Sequence, residues 1–155
     1  ASGVALVFML ILWQQSDVLI YSSNGPFRWG IRVLFFTVGI GFMWGAGALG
    51  GFDPFGVKNI KNHLLGKSAR VNPFIVKGPY RLVRHPLYSC MIIMIWLCPY
   101  LTLDRLVFNL LWTAWIVIGA ILEERDLVDV FGEDYRTYQE KVPMLLPRIF
   151  LKITQ

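Results

Sequence analysis

Charged residues are scarce in this sequence: they make up 16% of its 155 residues, whereas hydrophobic residues make up 55%. Soluble domains average about 25% charged and roughly 45–50% apolar residues. A water-soluble fold also needs polar residues between the apolar ones, and several stretches of this chain have almost none. The composition therefore argues against an ordinary soluble domain and predicts one membrane domain over residues 1–155, in contact with the lipid bilayer.

Side chains that bind metals or form disulfides are also few. The chain has two histidines, His63 and His85, and two cysteines, Cys90 and Cys98, which lie in one apolar run. Eight residues apart on one predicted helix, these cysteines cannot easily bridge each other. No ligand set has the spacing of a usual metal site. We therefore predict neither a metal centre nor a redox disulfide.

Basic residues outnumber acidic ones and give a net charge of +5. Seven of them lie in the connection over residues 53–86: Lys58, Lys61, Lys67, Arg70, Lys77, Arg81 and Arg84. Positive charge gathered in one loop between apolar blocks is typical of the cytoplasmic side of a membrane protein. We therefore predict no nucleic-acid partner. The expected location is a bacterial inner (cytoplasmic) membrane, with this loop and the C-terminus in the cytoplasm.

Four apolar blocks divide the chain: Ala1–Trp13, Trp29–Phe52, Leu87–Leu103 and Leu106–Leu122. A membrane crossing needs roughly 20 residues, so the first block is too short for a full one. The pattern predicts an all-α integral membrane protein with three full transmembrane helices and a partial N-terminal one. The N-terminal helices occupy residues 1–52 and the functional core residues 53–148. A glycine-rich face over residues 39–51 is a candidate contact for a partner helix.

The third and fourth blocks are separated only by Asp104-Arg105, which predicts a tight antiparallel hairpin. The start of one crossing and the end of the next then lie at the same depth. Arg84, His85 and Tyr88 should therefore lie near Glu123 and Glu124. After the fourth crossing, apolar spacing predicts a C-terminal helix that continues over residues 123–138 and breaks around Gly132 or before Pro143.

Each of these residues, taken alone, has an ordinary structural interpretation. Arg81 and Arg84 suit positive anchors at the membrane edge, and Tyr80 and Tyr88 suit the aromatic belt at the interface. A pair of glutamates after a helix end is often only solvated. The order of the motifs along the chain, however, favours a functional interpretation over these structural ones.

Gly-x-Tyr, Arg-His-Pro-x-Tyr, a two-crossing hairpin, Glu-Glu and Phe-Gly-x-x-Tyr-x-x-Tyr follow one another. This order resembles the superfamily of isoprenylcysteine carboxyl methyltransferases and phospholipid methyltransferases. The matching stretches are Gly78–Tyr80, Arg84–Tyr88, Glu123-Glu124 and Phe131–Pro147. Within that superfamily, Phe52–Ile60 and His63–Lys67 are similar to the methanethiol S-methyltransferase branch.

The resemblance implies methyl transfer from S-adenosylmethionine to a small, methanethiol-like thiol at the cytoplasmic membrane face; a lipid-like acceptor remains an alternative. It places the cofactor against six residues: Tyr80, Arg84, His85, Tyr88, Glu123 and Glu124. A nearby cation, Arg125 or His63, would favour the attacking thiolate.

Two other functions remain open. In the family, glycine often occupies the position of Cys90, and this departure favours a catalytically silent subunit of a larger membrane complex. An NADPH-dependent reductase of the sterol type shares a related C-terminal half, but its Lys-Tyr-Gly tail pattern is replaced here by Phe131–Tyr135.

Overall fold

The structure, a computed structural model, describes residues 15–48 and 76–147. Helices make up most of these ranges. In chain order the elements are strand β1 (Leu19–Ser22), helix α1 (Gly25–Ala48), a 3₁₀ helix (Gly78–Arg81), helix α2 (Pro86–Trp96), strand β2 (Tyr100–Thr102), helix α3 (Leu103–Phe131) and helix α4 (Glu133–Lys141).

Two of the helices, α1 with 24 residues and α3 with 29, have the length and the apolar composition of membrane spans. At about 1.5 Å per residue they extend about 36 and 44 Å, more than the roughly 30 Å of the hydrocarbon core. Their large apolar side chains are exposed: Phe36 at 70%, Ile40 at 72% and Trp115 at 55%. The core helix of a soluble protein would bury these side chains, so the helices are those of a membrane protein.

The prediction of three full crossings and a partial one was wrong, because the described residues contain two helices of crossing length. Helix α2 ends at Trp96 after 11 residues, about 16 Å and too short for the hydrocarbon core. Pro99 lies three residues later, and proline has no N–H to donate to a helix and disfavours helical backbone in the residue before it. The partial N-terminal crossing lies outside the described residues.

A small antiparallel sheet closes the end where α2 is interrupted, and the all-α prediction did not include it. Strand β1 pairs with β2, with Leu19 opposite Thr102 and Ser22 opposite Tyr100. The backbone N–H and the hydroxyl of Ser23 both donate to the carbonyl of Pro99, at 2.9 and 3.1 Å. These contacts satisfy the Pro99 carbonyl in the turn that follows the end of α2.

The turn between the two hairpin helices was also predicted in the wrong place. It lies over residues 97–102, and Asp104 already belongs to the first turn of α3. A negative side chain is favourable there, because the first turn of a helix carries a partial positive charge.

Helix α1 packs antiparallel against α2, and a glycine permits the close approach. A Cβ atom at Gly45 would lie 3.0 Å from Leu87 Cδ2, whereas one at Gly41 would lie 3.9 Å from Cys90 Sγ. Gly39 and Gly47 have nothing within 4 Å of such a position. Part of the predicted glycine-rich face therefore packs inside the chain, and its residues 49–51 lie outside the described ranges.

The predicted break of the C-terminal helix at Gly132 is confirmed. Helix α3 ends at Phe131, and Gly132 has a φ of 56°, a conformation that favours glycine. Helix α4 then folds back against α3 and buries Tyr135 and Tyr138. This fold-back brings α4 to the end of the molecule where α2 begins.

Candidate active site

A buried histidine and a buried glutamate meet where α2 begins and α3 approaches its end. Proline at the first position of α2 suits a helix start, because its missing N–H would have had no helical partner. His85 immediately precedes it and is 7% exposed, and Glu124 of α3 is 8% exposed. His85 Nε2 lies 3.2 Å from Glu124 Oε1. The hairpin therefore brings the two motifs together, as the sequence predicted.

Arg84 forms a two-pronged ion pair with Glu124. Its Nε donates to Oε1 at 2.6 Å and its Nη2 to Oε2 at 3.0 Å. The side chain of Gln139, on α4, donates to the same Oε2 at 2.8 Å. Paired guanidinium and carboxylate groups form strong, directional hydrogen bonds, so the carboxylate of Glu124 is held in one orientation.

The segment Val142–Leu145 lies along the start of α2. Arg84 Nη1 donates to the carbonyls of Gln139, at 2.9 Å, and of Val142. The backbone N–H groups of Arg84 and His85 donate to the carbonyls of Pro143 and Met144, at 2.9 and 3.0 Å. The Ser89 hydroxyl donates to the Leu145 carbonyl at 2.7 Å. Four of the five N–H groups of the Arg84 guanidinium are thus used within the protein.

The opposite side of His85 is more open. Tyr88 stacks its ring on the imidazole, with centroids 5.4 Å apart and planes at 9°. Its hydroxyl donates to Glu123 Oε2 at 2.8 Å. The Glu123 side chain is 47% exposed, and its Oε2 lies 3.9 Å from His85 Nδ1, too far for a hydrogen bond. Exposure to solvent therefore increases across the cluster, from the buried Glu124 and His85 to the accessible Glu123.

Tyr80 joins the cluster from the 3₁₀ helix. Its backbone carbonyl accepts a hydrogen bond from the Tyr138 hydroxyl of α4. Burial, and then the negative charge of Glu123, raises the pKa of Tyr80 to about 12. Burial also raises the pKa of Tyr138 to about 12. Both phenols therefore stay protonated near neutral pH, and the Tyr138 hydroxyl acts as a hydrogen-bond donor.

Arg125, which was predicted to favour the thiolate, makes no hydrogen bond to the cluster among the contacts described above. It is exposed and lines a cleft of about 330 Å³ together with Glu124 and Gln139. His63 lies outside the described residues. The other six predicted site residues, Tyr80, Arg84, His85, Tyr88, Glu123 and Glu124, lie together at one end of the helices.

Sequence reasoning missed Gln139 and the carbonyls of residues 142–145. Gln139 lies four residues after Tyr135 on α4, and residues at that spacing share a helix face. Tyr135 and Tyr138 are buried, so this face is the one that meets α3. A search for polar residues on the face of the two tyrosines would have found Gln139, whereas backbone acceptors carry no signal in the sequence.

The thiol of Cys90 lies toward α1, where a Cβ at Gly41 would be 3.9 Å from Sγ. The structure thus places this departure from the family's usual glycine at the contact between α1 and α2. Within residues 15–48 and 76–147, no group of three His, Cys, Asp or Glu side chains is arranged to hold a metal.

The chain is similar to several curated proteins. It is 38% identical over 150 residues to a methanethiol S-methyltransferase of Pseudomonas deceptionensis, an alignment that covers 96% of this chain and 57% of that protein. It is 43% identical over 96 residues to methanethiol S-methyltransferase 1 of Bradyrhizobium diazoefficiens, which covers 62% of this chain and 34% of that protein. With the Crocosphaera subtropica methanethiol S-methyltransferase, identity is 32% over 150 residues, or 94% of this chain and 58% of that protein.

The chain spans little more than half the length of the Pseudomonas deceptionensis and Crocosphaera subtropica proteins. No family model and no solved structure matches it.

Proposed function

Because this chain is a homologue of the methanethiol S-methyltransferases along 96% of its own length, we propose that it is a membrane methyltransferase acting on a small, methanethiol-like thiol. The methyl donor is S-adenosylmethionine. One observation carries the proposal: the Arg-His-Pro-x-Tyr segment and the Glu123-Glu124 pair, 35 residues or more apart in the chain, form one hydrogen-bonded cluster.

The side chains on the open side of the cluster fit the proposed cofactor. S-adenosylmethionine carries an ammonium group, a carboxylate and a sulfonium centre. The accessible carboxylate of Glu123 is suited to the ammonium group. The ring faces of Tyr80 and Tyr88 are suited to a sulfonium, because aromatic faces attract cations. When bound, the cofactor supplies an electrophilic methyl group.

Arg84 and Glu124 act in this proposal mainly through each other. Their mutual hydrogen bonds leave little capacity for a ligand, so they hold the shape of the site at its buried end. His85 lies between Glu124 and Glu123. Methyl transfer is a displacement in which most of the catalysis comes from aligning the two reactants.

The attacking sulfur is more reactive as a thiolate. Arg125, or His63 of the connection, supplies a cation that favours this form. Arg125 is the residue after Glu124, on the cytoplasmic extension of α3.

The site lies on the cytoplasmic side of a bacterial inner membrane in this proposal. The C-terminal ends of α1 and α3 and the start of α2 all lie at the end of the molecule that carries the cluster. The seven basic residues of the connection that precedes α2 have the positive-inside pattern. That side is also where a nucleotide cofactor is available to a membrane enzyme.

The test is a panel of methyl acceptors given to membranes that contain the chain, with S-adenosylmethionine labelled in its methyl group. We expect label in the thioether of a small alkanethiol, and none in a phospholipid amine or a prenylated cysteine. Binding of S-adenosylhomocysteine by calorimetry, measured in parallel, separates an enzyme from a catalytically silent subunit. Absence of binding, together with absence of transfer to any acceptor, contradicts the enzyme and favours the subunit.

Glu123→Gln provides the matched variant, since it removes the charge that faces the ammonium group and keeps the shape of the side chain. Hydrogen bonds to charged groups contribute about 1.5–3 kcal/mol, so S-adenosylhomocysteine should bind roughly 10- to 100-fold more weakly. Asp126→Asn, an exposed change on the same helix, is the control and should leave the affinity unchanged.

A further inference from the structure

The carboxylate of Glu124 is saturated with hydrogen-bond donors. Oε1 accepts from Arg84 Nε at 2.6 Å and lies 3.2 Å from His85 Nε2, while Oε2 accepts from Arg84 Nη2 at 3.0 Å and from Gln139 Nε2 at 2.8 Å. An ionised carboxylate only accepts hydrogen bonds, and the Arg84 guanidinium beside it is always charged. The hydrogen between His85 and Glu124 therefore belongs to Nε2 of the histidine.

This assignment fixes the chemistry of the other ring nitrogen. A neutral imidazole carries one hydrogen, so Nδ1 presents a lone pair when Nε2 is protonated. Nδ1 lies on the side of Glu123, at 3.9 Å from its Oε2, where the structure opens. The ring of Tyr88, stacked at 9°, and the bond to Glu124 both oppose rotation of the imidazole. The lone pair is therefore aimed at the accessible end of the cluster.

We propose that His85 is a catalytic residue that takes the proton of the acceptor thiol through Nδ1. Arg84 and Gln139 are positioning residues, which act by fixing the Glu124 carboxylate. This inference rests on the proposed function, because it needs a thiol acceptor, and it adds the identity of the proton acceptor.

The step is a coupled proton and methyl transfer. The S–H bond of the thiol breaks and its proton goes to His85 Nδ1. The electron pair of that sulfur forms a bond to the methyl carbon, and the bond between this carbon and the sulfonium sulfur breaks, leaving its electron pair on the departing sulfur. The products are the thioether and S-adenosylhomocysteine. The imidazolium lies between Glu124 and Glu123, at 3.2 and 3.9 Å, and returns its proton to water on the open side.

Nitrogen NMR of the imidazole tests the geometry without any turnover. The chain has only two histidines, so His63→Gln leaves the signals of His85 alone in a protein labelled with ¹⁵N-histidine. We expect the tautomer that carries its hydrogen on Nε2. In a Gln139→Leu background the carboxylate loses one of its fixing bonds, and the second tautomer should appear. A signal from the Nδ1–H tautomer in the His63→Gln protein would overturn the proposal.

Two thiols of similar size but different acidity test the chemistry. Ethanethiol needs its proton removed, whereas trifluoroethanethiol is much more acidic and is largely ionised without help. General base catalysis contributes about 100- to 10,000-fold, so His85→Gln should slow methylation of ethanethiol by about that factor. Methylation of trifluoroethanethiol should fall only a few-fold. S-adenosylhomocysteine affinity, measured by calorimetry, should change only a few-fold and reports that the site is intact.

Equal losses on the two thiols, with the affinity retained, would overturn the assignment of His85. If His85→Gln no longer binds S-adenosylhomocysteine, the variant Gln139→Leu provides the test instead. We expect it to slow methylation of ethanethiol less than His85→Gln would, and again selectively. An equal loss of rate on both thiols contradicts the proposal. A parent chain that methylates neither thiol contradicts the proposed function itself, and the tautomer measurement still decides the geometry separately.

Discussion

At the scale of single residues, Arg84 shows how a motif residue can be correctly located while its contacts stay unknown. The sequence places it beside Glu124 through the hairpin. Its four hydrogen bonds within the protein go to Glu124 and to carbonyls of Gln139 and Val142. All four acceptor atoms belong to residues that follow Arg84 by 40 or more positions. Spacing along α2 and α3 could not reveal this saturation, because half of the acceptors are backbone atoms.

Replacing Arg84 should therefore lower the free energy of unfolding more than replacing the nearby Arg81 does. Breaking a buried ion pair by deleting one partner costs about 3–5 kcal/mol, because a buried charge is left uncompensated. We expect Arg84→Met to lower the free energy of unfolding in detergent by that amount. Arg81→Met, an exposed change in the same basic segment, should have little effect.

The double variant Arg84→Met/Glu124→Leu separates two origins of the lost stability: the uncompensated buried charge and the lost hydrogen bonds to backbone carbonyls. Without the buried charge, much of the stability should return while binding of S-adenosylhomocysteine stays weak. A double variant as unstable as Arg84→Met alone would show that the carbonyl contacts, and not the uncompensated charge, set the cost.

At the scale of elements, the close contact of α1 with α2 depends on one glycine. Leu87 Cδ2 would lie 3.0 Å from a Cβ at Gly45, and larger side chains must displace the Leu87 side chain or α2 itself. Overpacking of this kind costs about 1–3 kcal/mol. Gly45→Leu should therefore lower the free energy of unfolding, and since α2 begins beside this contact, it should also weaken S-adenosylhomocysteine binding.

Gly47→Leu is the matched control, since the same helix has open space at that position. It should leave stability and binding near those of the parent. If both variants lose the same amount, the cost arises from the helix itself or from its lipid-facing side, and not from the contact with Leu87.

The elements also show where hydropathy fails as a predictor. The apolar run Leu87–Leu103 is about as long as a membrane crossing, yet helix α2 stops at Trp96. Hydropathy records solvent preference, whereas the end of a helix is set by backbone groups, and here Pro99 and the pairing of β1 with β2 decide it. The break at Gly132 was predictable because a single residue type accounts for it. The pairing of β1 with β2 was not, since it joins segments about 80 residues apart.

At the scale of the whole molecule, the two ends differ in chemistry. The cluster lies at one end, and the sheet of β1 and β2 lies at the other. The hairpin prediction was sufficient to gather five site residues, because two antiparallel helices fix which chain segments share a depth, whereas Tyr80 was placed only by the family resemblance. Gln139 could have been found from the helix face that it shares with the two tyrosines of α4. The placement of Val142–Leu145 was not predictable, since the direction of a fold-back after a glycine depends on tertiary packing.

The proposed orientation predicts opposite accessibility for the two ends. Asp17 precedes β1 and Glu133 begins α4, and both are exposed. A cysteine introduced by Glu133→Cys should react with a membrane-impermeant maleimide only after the cytoplasmic side is opened. One introduced by Asp17→Cys should react in intact cells. The reverse labelling pattern would contradict the cytoplasmic location of the site.

The order of synthesis gives the segment Val142–Leu145 a second significance. Arg84 and Glu124 leave the ribosome before Gln139 and the carbonyls that complete their hydrogen bonds. A nascent chain that already contains α1 and α3 thus holds a half-solvated pair of charges, in which the Glu124 carboxylate still lacks its hydrogen bond from Gln139. We expect the site to form late in synthesis. The helices are inserted first, and the site becomes complete only when α4 and Val142–Leu145 pack against them.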